Sequence, residues 1–196
     1  MTIEYRADFL SPNKATELFD LLRRETSWQQ FKAGFGQLRP RLEAWYGDVG
    51  AKYLSYNRGM MPLPWTDALL SLRETVSEAT GATFNGVLLN LYRNERDSVA
   101  PHADNEPEFG VNPVIASVSL GAARRFVLRH NSTGKMRTIV LAHGSLVVMA
   151  GTTQAQYTHA VPKETSPRTE RINLTFRRIL DHDPSTVSQS EDCPTK

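Results

Sequence analysis

RINLTFR, residues 171–177, alternates two kinds of side chain. Extended backbone puts Arg171, Asn173, Thr175 and Arg177 on one face and Ile172, Leu174 and Phe176 on the other. The apolar face reads as a strand laid on a core. Arginines beside an asparagine in the middle of such a strand are costly to bury unless they meet anions. At ~3.3 Å per residue Arg171 and Arg177 stand roughly 20 Å apart, so they would reach toward opposite ends of a dicarboxylate lying between them.

Working back from this strand, FNGVLLNLYR, VIASVSLG, RRFVLRH, MRTIVLA, SLVVMAG and QAQYTHAV are short strand-like runs separated by turn residues such as NSTG and AHG. So many short strands without intervening helices predict a mainly β sandwich or jelly roll, with its core over residues 82–180. In NLYR, Asn90 and Tyr92 share a face and point to the same place. Two helices precede the strands. Ser11-Pro12 with Ala15, Leu18, Phe19 and Leu22 predicts one near 12–25, and Thr66 with Leu69, Leu72, Val76 and Gly81 predicts another near 66–80. Between them, residues 35–65 are rich in aromatics, arginines, glycines and prolines with no sustained period, as expected of a functional loop with short strand. Residues 181–196 lack an apolar pattern and are expected to be a mobile tail. There is no internal repeat, and residues 1–180 are expected to form a single domain.

PHADNE, residues 101–106, sets His102 and Asp104 two apart, so in extended backbone an imidazole and a carboxylate face one point. HxD alone is weak, because chance supplies such a pair in many chains. His159, on a strand-like run that an antiparallel jelly roll brings beside this segment, offers a third donor. Two histidines and a carboxylate form the facial triad that holds non-haem Fe(II) with three positions open. The single cysteine, Cys193, excludes a cysteine-rich zinc site and a disulfide framework, and a reducing compartment, cytoplasm or nucleus, is expected. The start of the chain lacks signal-peptide order, and no apolar run approaches the roughly 18 residues of a membrane helix. The net charge of +2 hides an uneven distribution: residues 121–178 hold ten Lys and Arg against two Glu. Such an excess reads as an attraction for phosphates. His130 and His143, at turns, receive no chemistry.

NLYRNE, PHADNE, SVSLG, YTHAV and RINLTFR, in this order and spacing, resemble the AlkB family of Fe(II)- and 2-oxoglutarate-dependent dioxygenases. The resemblance covers roughly residues 38–180 and implies a double-stranded β-helix fold. It implies that His102, Asp104 and His159 ligate iron. Arg171, helped by Tyr92, would meet the distal carboxylate of 2-oxoglutarate, and Arg177, with Asn90 and Asn173, would serve the end that chelates the metal. Residues 35–65 look like the family's nucleotide-recognition lid, with Trp45, Tyr46, Tyr53 and Tyr56 as candidate stacking aromatics and Arg39 and Arg41 as phosphate contacts. Each aromatic could instead pack the lid on the barrel. Glu106 sits where the family has an acid near the exocyclic amino group of the base, although Asn105 departs from the commoner acid.

The implied activity is oxidative removal of alkyl groups from bases such as 1-methyladenine and 3-methylcytosine, consuming O2 and 2-oxoglutarate and releasing formaldehyde, as in repair of alkylated DNA. No long apolar hairpin suggests a duplex wedge, so single-stranded DNA is the expected partner, with RNA as an alternative, no membrane, and a monomeric enzyme. The competing readings are a 2-oxoglutarate-dependent hydroxylase of a protein or small molecule, a zinc hydrolase or other non-redox metal-binding jelly roll, and an inactive nucleic-acid binder.

Overall fold

The computed structural model describes residues 2–32, 36–53 and 61–180. Its order is β1 (Thr2–Arg6), α1 (Pro12–Glu25), β2 (Leu42–Gly47), α2 (Asp67–Thr80), β3 (Gly86–Tyr92), β4 (Val99–His102), β5 (Ile115–Gly121), β6 (Arg124–His130), β7 (Met136–Leu141), β8 (Ser145–Ala150), α3 (Thr153–Gln156), β9 (Tyr157–Val161) and β10 (Arg171–Arg177). The strands form a six-stranded sheet in the order β1-β8-β5-β10-β3-β2 and a four-stranded sheet in the order β4-β9-β6-β7. Among the described residues, neighbouring strands within both sheets pair antiparallel, as a jelly roll requires.

Both helices start and stop where local chemistry directs. The Ser11 hydroxyl accepts the Lys14 amide at 3.4 Å with Pro12 opening α1. The Thr66 hydroxyl accepts the Leu69 amide at 3.3 Å, and Gly81, at φ 66°, ends α2 in a left-handed conformation that costs glycine little. Their apolar stripes, Ala15, Leu18 and Leu22 on α1 and Leu69, Leu72 and Val76 on α2, join Leu89 and Leu91 of β3, Val118 and Leu120 of β5, and Ile172, Leu174 and Phe176 of β10 in one core. Helix packing thus consumes one face of the large sheet. Its opposite face carries the polar residues of β10 into a cleft shared with the small sheet.

Four strands refine the expected pattern. β1 was not signalled by the sequence: TIEYR is short, and what makes it a strand is the exposed edge of β8, with which it pairs from Thr2 opposite Ala150 to Arg6 opposite Leu146. β4 is the extended segment that ends at His102. β2 lies inside the segment expected as a lid, and it instead closes the large sheet by pairing along the whole of β3, from Leu42 to Leu91 to Gly47 to Gly86. In QAQYTHAV, only the last five residues are strand; Thr153–Gln156 make a single helical turn. The remainder of the expected lid at 54–60, including Tyr56, and the expected tail at 181–196 lie outside the described residues. Among the described residues no helix is long and apolar enough to cross a membrane.

Candidate metal centre and co-substrate cleft

β4 and β9 are neighbours, and their register sets His102 directly opposite His159. Asp104, two residues past the end of β4, turns back toward both. Ligand atoms of His102, Asp104 and His159 all lie within 4.8 Å of one another, with His159 Nε2 3.7 Å from Asp104 Oδ2. The His102 ring is 4.3 Å from that of His159. His102 Nδ1 lies 2.9 Å from the Ala100 carbonyl. That bond assigns the hydrogen to Nδ1 and leaves the Nε2 lone pair for a metal.

Asp104 is held from two sides. Arg177 donates from Nη2 to Asp104 Oδ1 at 2.7 Å, and the Asp104 amide donates to Gln154 Oε1 at 2.9 Å. Oδ2 of Asp104 is buried with no hydrogen-bond partner. Burial pushes the Asp104 carboxyl up, but Arg177, followed by the two histidines, outweighs it and brings the group down to about 2. Burial lowers His159 to about 3, more than the Asp104 charge restores, so its imidazole is neutral at physiological pH. A carboxylate with one free oxygen and a neutral imidazole are the protonation states a divalent cation needs. The donor set, two nitrogens and one oxygen with no sulfur, fits ferrous iron.

The cleft beside this centre has a volume of about 810 Å³. Arg171, Asn173, Thr175 and Arg177 from β10, Leu88, Asn90 and Tyr92 from β3, and the three metal-site residues all line it. Arg171 is fully buried. Its Nη2 donates to Ser119 Oγ at 2.8 Å and Asn173 Oδ1 at 2.6 Å, whereas Nε and Nη1 have no hydrogen-bond partner. No carboxylate among the described residues forms an ion pair with it. Burial lowers the Arg171 pKa, and the Arg124 guanidinium adds to that. A buried cation with two idle donors is expensive until an anion arrives. Arg177 likewise keeps an unpartnered Nε. These orphaned donors and Asp104 Oδ2 fit an acidic co-substrate lying between a metal and Arg171.

The other expected residues have varied places. Asn173 is occupied internally, its Oδ1 accepting from Arg171 and from Ser117 Oγ and its Nδ2 donating to Thr175 Oγ1 at 2.8 Å. It positions Arg171. Asn90 Oδ1 accepts from Arg41 Nε at 2.9 Å, which turns the amide hydrogens of Asn90 away from Arg41. Tyr53 donates its hydroxyl to Glu106 Oε1 at 2.8 Å, and both line the cleft. Glu106 Oε2 is buried without a partner, and burial raises the Glu106 carboxyl above its usual range.

Trp45 and Tyr46 depart from the stacking role. Neither lines the cleft. Strand alternation sends Tyr46 into the helix-covered core, and Trp45, 0% exposed, packs over Gly86, where any Cβ would collide with the indole. Arg39 and Arg41, expected as phosphate contacts, both line the cleft, and both pair with the buried Glu43, at 3.0 Å and 2.6 Å. The basic excess of residues 121–178 is only partly a surface, since Arg124, Arg171 and Arg177 are interior. His143 is structural, its Nδ1 accepting the Gly121 amide at 2.8 Å. Gln154, which holds the Asp104 backbone, carried no signal in the sequence, because a glutamine after a turn is ordinary until α3 is seen to bury it.

Comparison with known proteins agrees with this geometry. The family model described as the 2OG-Fe(II) oxygenase superfamily matches residues 2–177. The alpha-ketoglutarate-dependent dioxygenase alkB homolog 3 of Bos taurus is 41% identical over 184 residues, covering 87% of this chain and 64% of the relative. The DNA oxidative demethylase ALKBH2 of Homo sapiens is 37% identical over 183 residues, covering 85% of this chain and 69% of the relative. The chain therefore spans less than two thirds of the length of the first of these. Among solved structures, OsALKBH1 superposes with a TM-score of 0.66 at 16% identity, over 90% of this chain and 97% of that one. A Trichoplax adhaerens prolyl hydroxylase, in complex with a hypoxia inducible factor peptide, also gives 0.66, at 15% identity, over 95% and 87%. These two structures carry the fold alone. A double-stranded β-helix, a His-Asp-His cluster and an arginine-lined cleft in one chain thus accompany extensive sequence identity, and the chain belongs to the 2OG-Fe(II) oxygenase superfamily as an AlkB homologue.

Proposed function

We propose that this protein oxidatively dealkylates N-alkylated bases, such as 1-methyladenine and 3-methylcytosine, in single-stranded DNA, with RNA as a further substrate, and acts as a monomer in repair of alkylation damage. The observation that carries the co-substrate half of this reading is Arg171: a buried cation with two idle donors, in the same cleft as three metal donors. A zinc hydrolase has no need of it.

In this reading His102 Nε2, His159 Nε2 and Asp104 Oδ2 would hold Fe(II). Bound together, the iron, O2 and 2-oxoglutarate supply an oxidant for the N-alkyl carbon, with 2-oxoglutarate leaving as succinate and CO2. The protein's own residues orient. Arg171 receives the distal carboxylate with Tyr92 beside it, Asn173 and Ser119 hold Arg171, and Arg177 keeps Asp104 ionised and aimed. The hydroxylated N-alkyl group is a hemiaminal that collapses to aldehyde and restored base, which needs only a proton transfer.

A cleft of this volume accepts an extruded base, which a single strand presents at small unstacking cost. Glu106, with Oε1 fixed by Tyr53 and Oε2 unpartnered, is suited to an exocyclic amino group. The test is a mixture of protein, Fe(II) and 2-oxoglutarate under argon, then O2 and a 1-methyladenine oligonucleotide, with succinate and formaldehyde quantified. Equal amounts of both are expected, and none from Asp104→Ala. Formaldehyde released from a methylated peptide but not from the oligonucleotide would overturn the choice of substrate, and turnover with zinc and without O2 would overturn the chemistry.

A further inference from the structure

We infer that Arg124 is a positioning residue for the co-substrate: by fixing Tyr92 beside Arg171 it sets the site's preference for a keto-acid with a second carboxylate over one without. This rests on the reading of the cleft as a 2-oxoglutarate site.

Arg124 opens β6 and is 1% exposed. The next inward residues of that strand, Phe126 and Leu128, are apolar core. A guanidinium in such a place has a large desolvation cost, and an apolar side chain of similar volume would fill the space without it. Its charge is poorly compensated by acids. Glu164 Oε1 is 3.7 Å from Nε, beyond a hydrogen bond, and the Glu164 carboxylate is already engaged by the Arg125 amide at 3.2 Å and Arg125 Nε at 3.0 Å. Nε of Arg124 has no hydrogen-bond partner.

What engages Arg124 instead is backbone and one ring. Nη1 donates to the Asn94 carbonyl at 3.1 Å, and Nη2 donates to the carbonyls of Asp97 and Pro162, both at 2.7 Å. Asn94 and Asp97 belong to the turn between β3 and β4, and Pro162 follows β9 directly. One side chain therefore ties down the end of β3 that carries Tyr92, together with the ends of β4 and β9 remote from His102 and His159. The guanidinium carbon is 5.3 Å from the centroid of the Tyr92 ring, and that of Arg171 is 5.0 Å from the same centroid. Tyr92 lines the cleft and Arg124 does not. Two interior cations thus meet at one aromatic wall, on the side of the cleft where Arg171 presents its idle donors. Their mutual repulsion lowers the Arg171 pKa, in addition to the larger effect of burial.

A carboxylate arriving at Arg171 relieves that repulsion and meets a phenol whose ring cannot swing away. A keto-acid with no second carboxylate gains neither. Arg124 acts through Tyr92 and through field, with no contact to the ligand.

The experiment measures dissociation constants by calorimetry under argon, on protein loaded with redox-silent Mn(II), for 2-oxoglutarate and for pyruvate, which has the same chelating head and no distal carboxylate. Melting temperatures are recorded alongside. In Arg124→Gln the ratio of the two affinities is expected to fall about tenfold, the scale of a desolvated cation–π contact. Arg124→Lys, which keeps the charge and is the variant better placed to fold, should fall part of the way. In a Tyr92→Leu background, Arg124→Gln should lower the ratio by less than it does in the wild type, since only the contribution of charge is left to lose. An unchanged ratio in both Arg124 variants, or equal weakening of both ligands, would overturn the proposal and leave Arg124 a purely structural tie. Wild-type protein that binds pyruvate as well as 2-oxoglutarate would reject the underlying co-substrate reading instead.

Discussion

Trp45 offers the sharpest separation of a packing role from a base-stacking one. Its indole is completely buried, donates Nε1–H to the Ala51 carbonyl at 3.2 Å, lies 5.4 Å from the Tyr53 ring and occupies the space that Gly86 leaves open. Trp45→Ala removes all of this at once. The expected loss is about 3–5 kcal/mol, toward the upper end because the Ala51 carbonyl also loses its donor. In a chain of this size that lowers the melting temperature on the order of 10 °C. Gly86→Ala should destabilise from the opposite direction, by driving a methyl into the same ring. Combining it with Trp45→Leu should cost less than the sum of the single changes, since the collision is gone. Thermal and urea unfolding of the wild type, the three single variants and the double variant measures this, with equilibrium binding of a 1-methyladenine oligonucleotide recorded in parallel. A Trp45→Ala protein that melts with the wild type yet no longer binds the oligonucleotide would refute the packing account and return Trp45 to the base.

Arg171→Met should stabilise the ligand-free protein by on the order of 1–4 kcal/mol, read as a higher melting temperature, because it removes an unpaired buried cation; it should also abolish the further stabilisation given by added 2-oxoglutarate, and a lower melting temperature in the variant would count against the orphaned-cation account. His159→Ala should abolish succinate formation and weaken Mn(II) binding in calorimetry, whereas unaltered metal affinity would remove His159 from the ligand set. Gln154→Ala, which frees the Asp104 amide, is expected to slow turnover about tenfold or more with metal still bound; full activity would show that the bond at 2.9 Å does not aim Asp104. Asp97 carries a pH signature. Burial alone would raise its carboxyl, but hydrogen bonds from the Arg93 side chain and amide outweigh that and hold it below the usual range. With the folded value depressed, its contribution to stability is present above the unfolded value of ~3.9 and is lost as pH falls through the folded one. The stability gap between wild type and Asp97→Asn should therefore be full at neutral pH and close in acid, and a gap that persists at low pH would contradict the pairing.

Period-2 reading of RINLTFR carried both the fold and the acidic co-substrate, because β10 is the strand where the helix-backed core and the cleft meet back to back. The helix limits were equally legible, since Ser11, Pro12, Thr66 and Gly81 act on their immediate neighbours. What stayed hidden depends on partners distant in sequence. Trp45 and Tyr46 carry the same aromatic signature whether they stack on a base or fill a core, and only the register of β2 against β3 distinguishes the two. Arg39 and Arg41 read as phosphate contacts, and nothing in the sequence shows that a buried Glu43 pairs with both. Arg124 and Gln154 lie outside every motif, and their importance arises from the carbonyls and the amide that the folded chain brings to them.

The pairing of β4 with β9 brings together imidazoles whose positions in the chain differ by 57 residues. β5 to β8 all intervene, so a growing polypeptide holds only an incomplete chelate until nearly the whole barrel has been synthesised. Assembly of the centre is thereby coupled to completion of the slow, long-range steps that govern how fast an all-β topology forms. Tight metal uptake during refolding would then be a late event, and its rate would follow closure of the small sheet instead of the encounter between ion and chain.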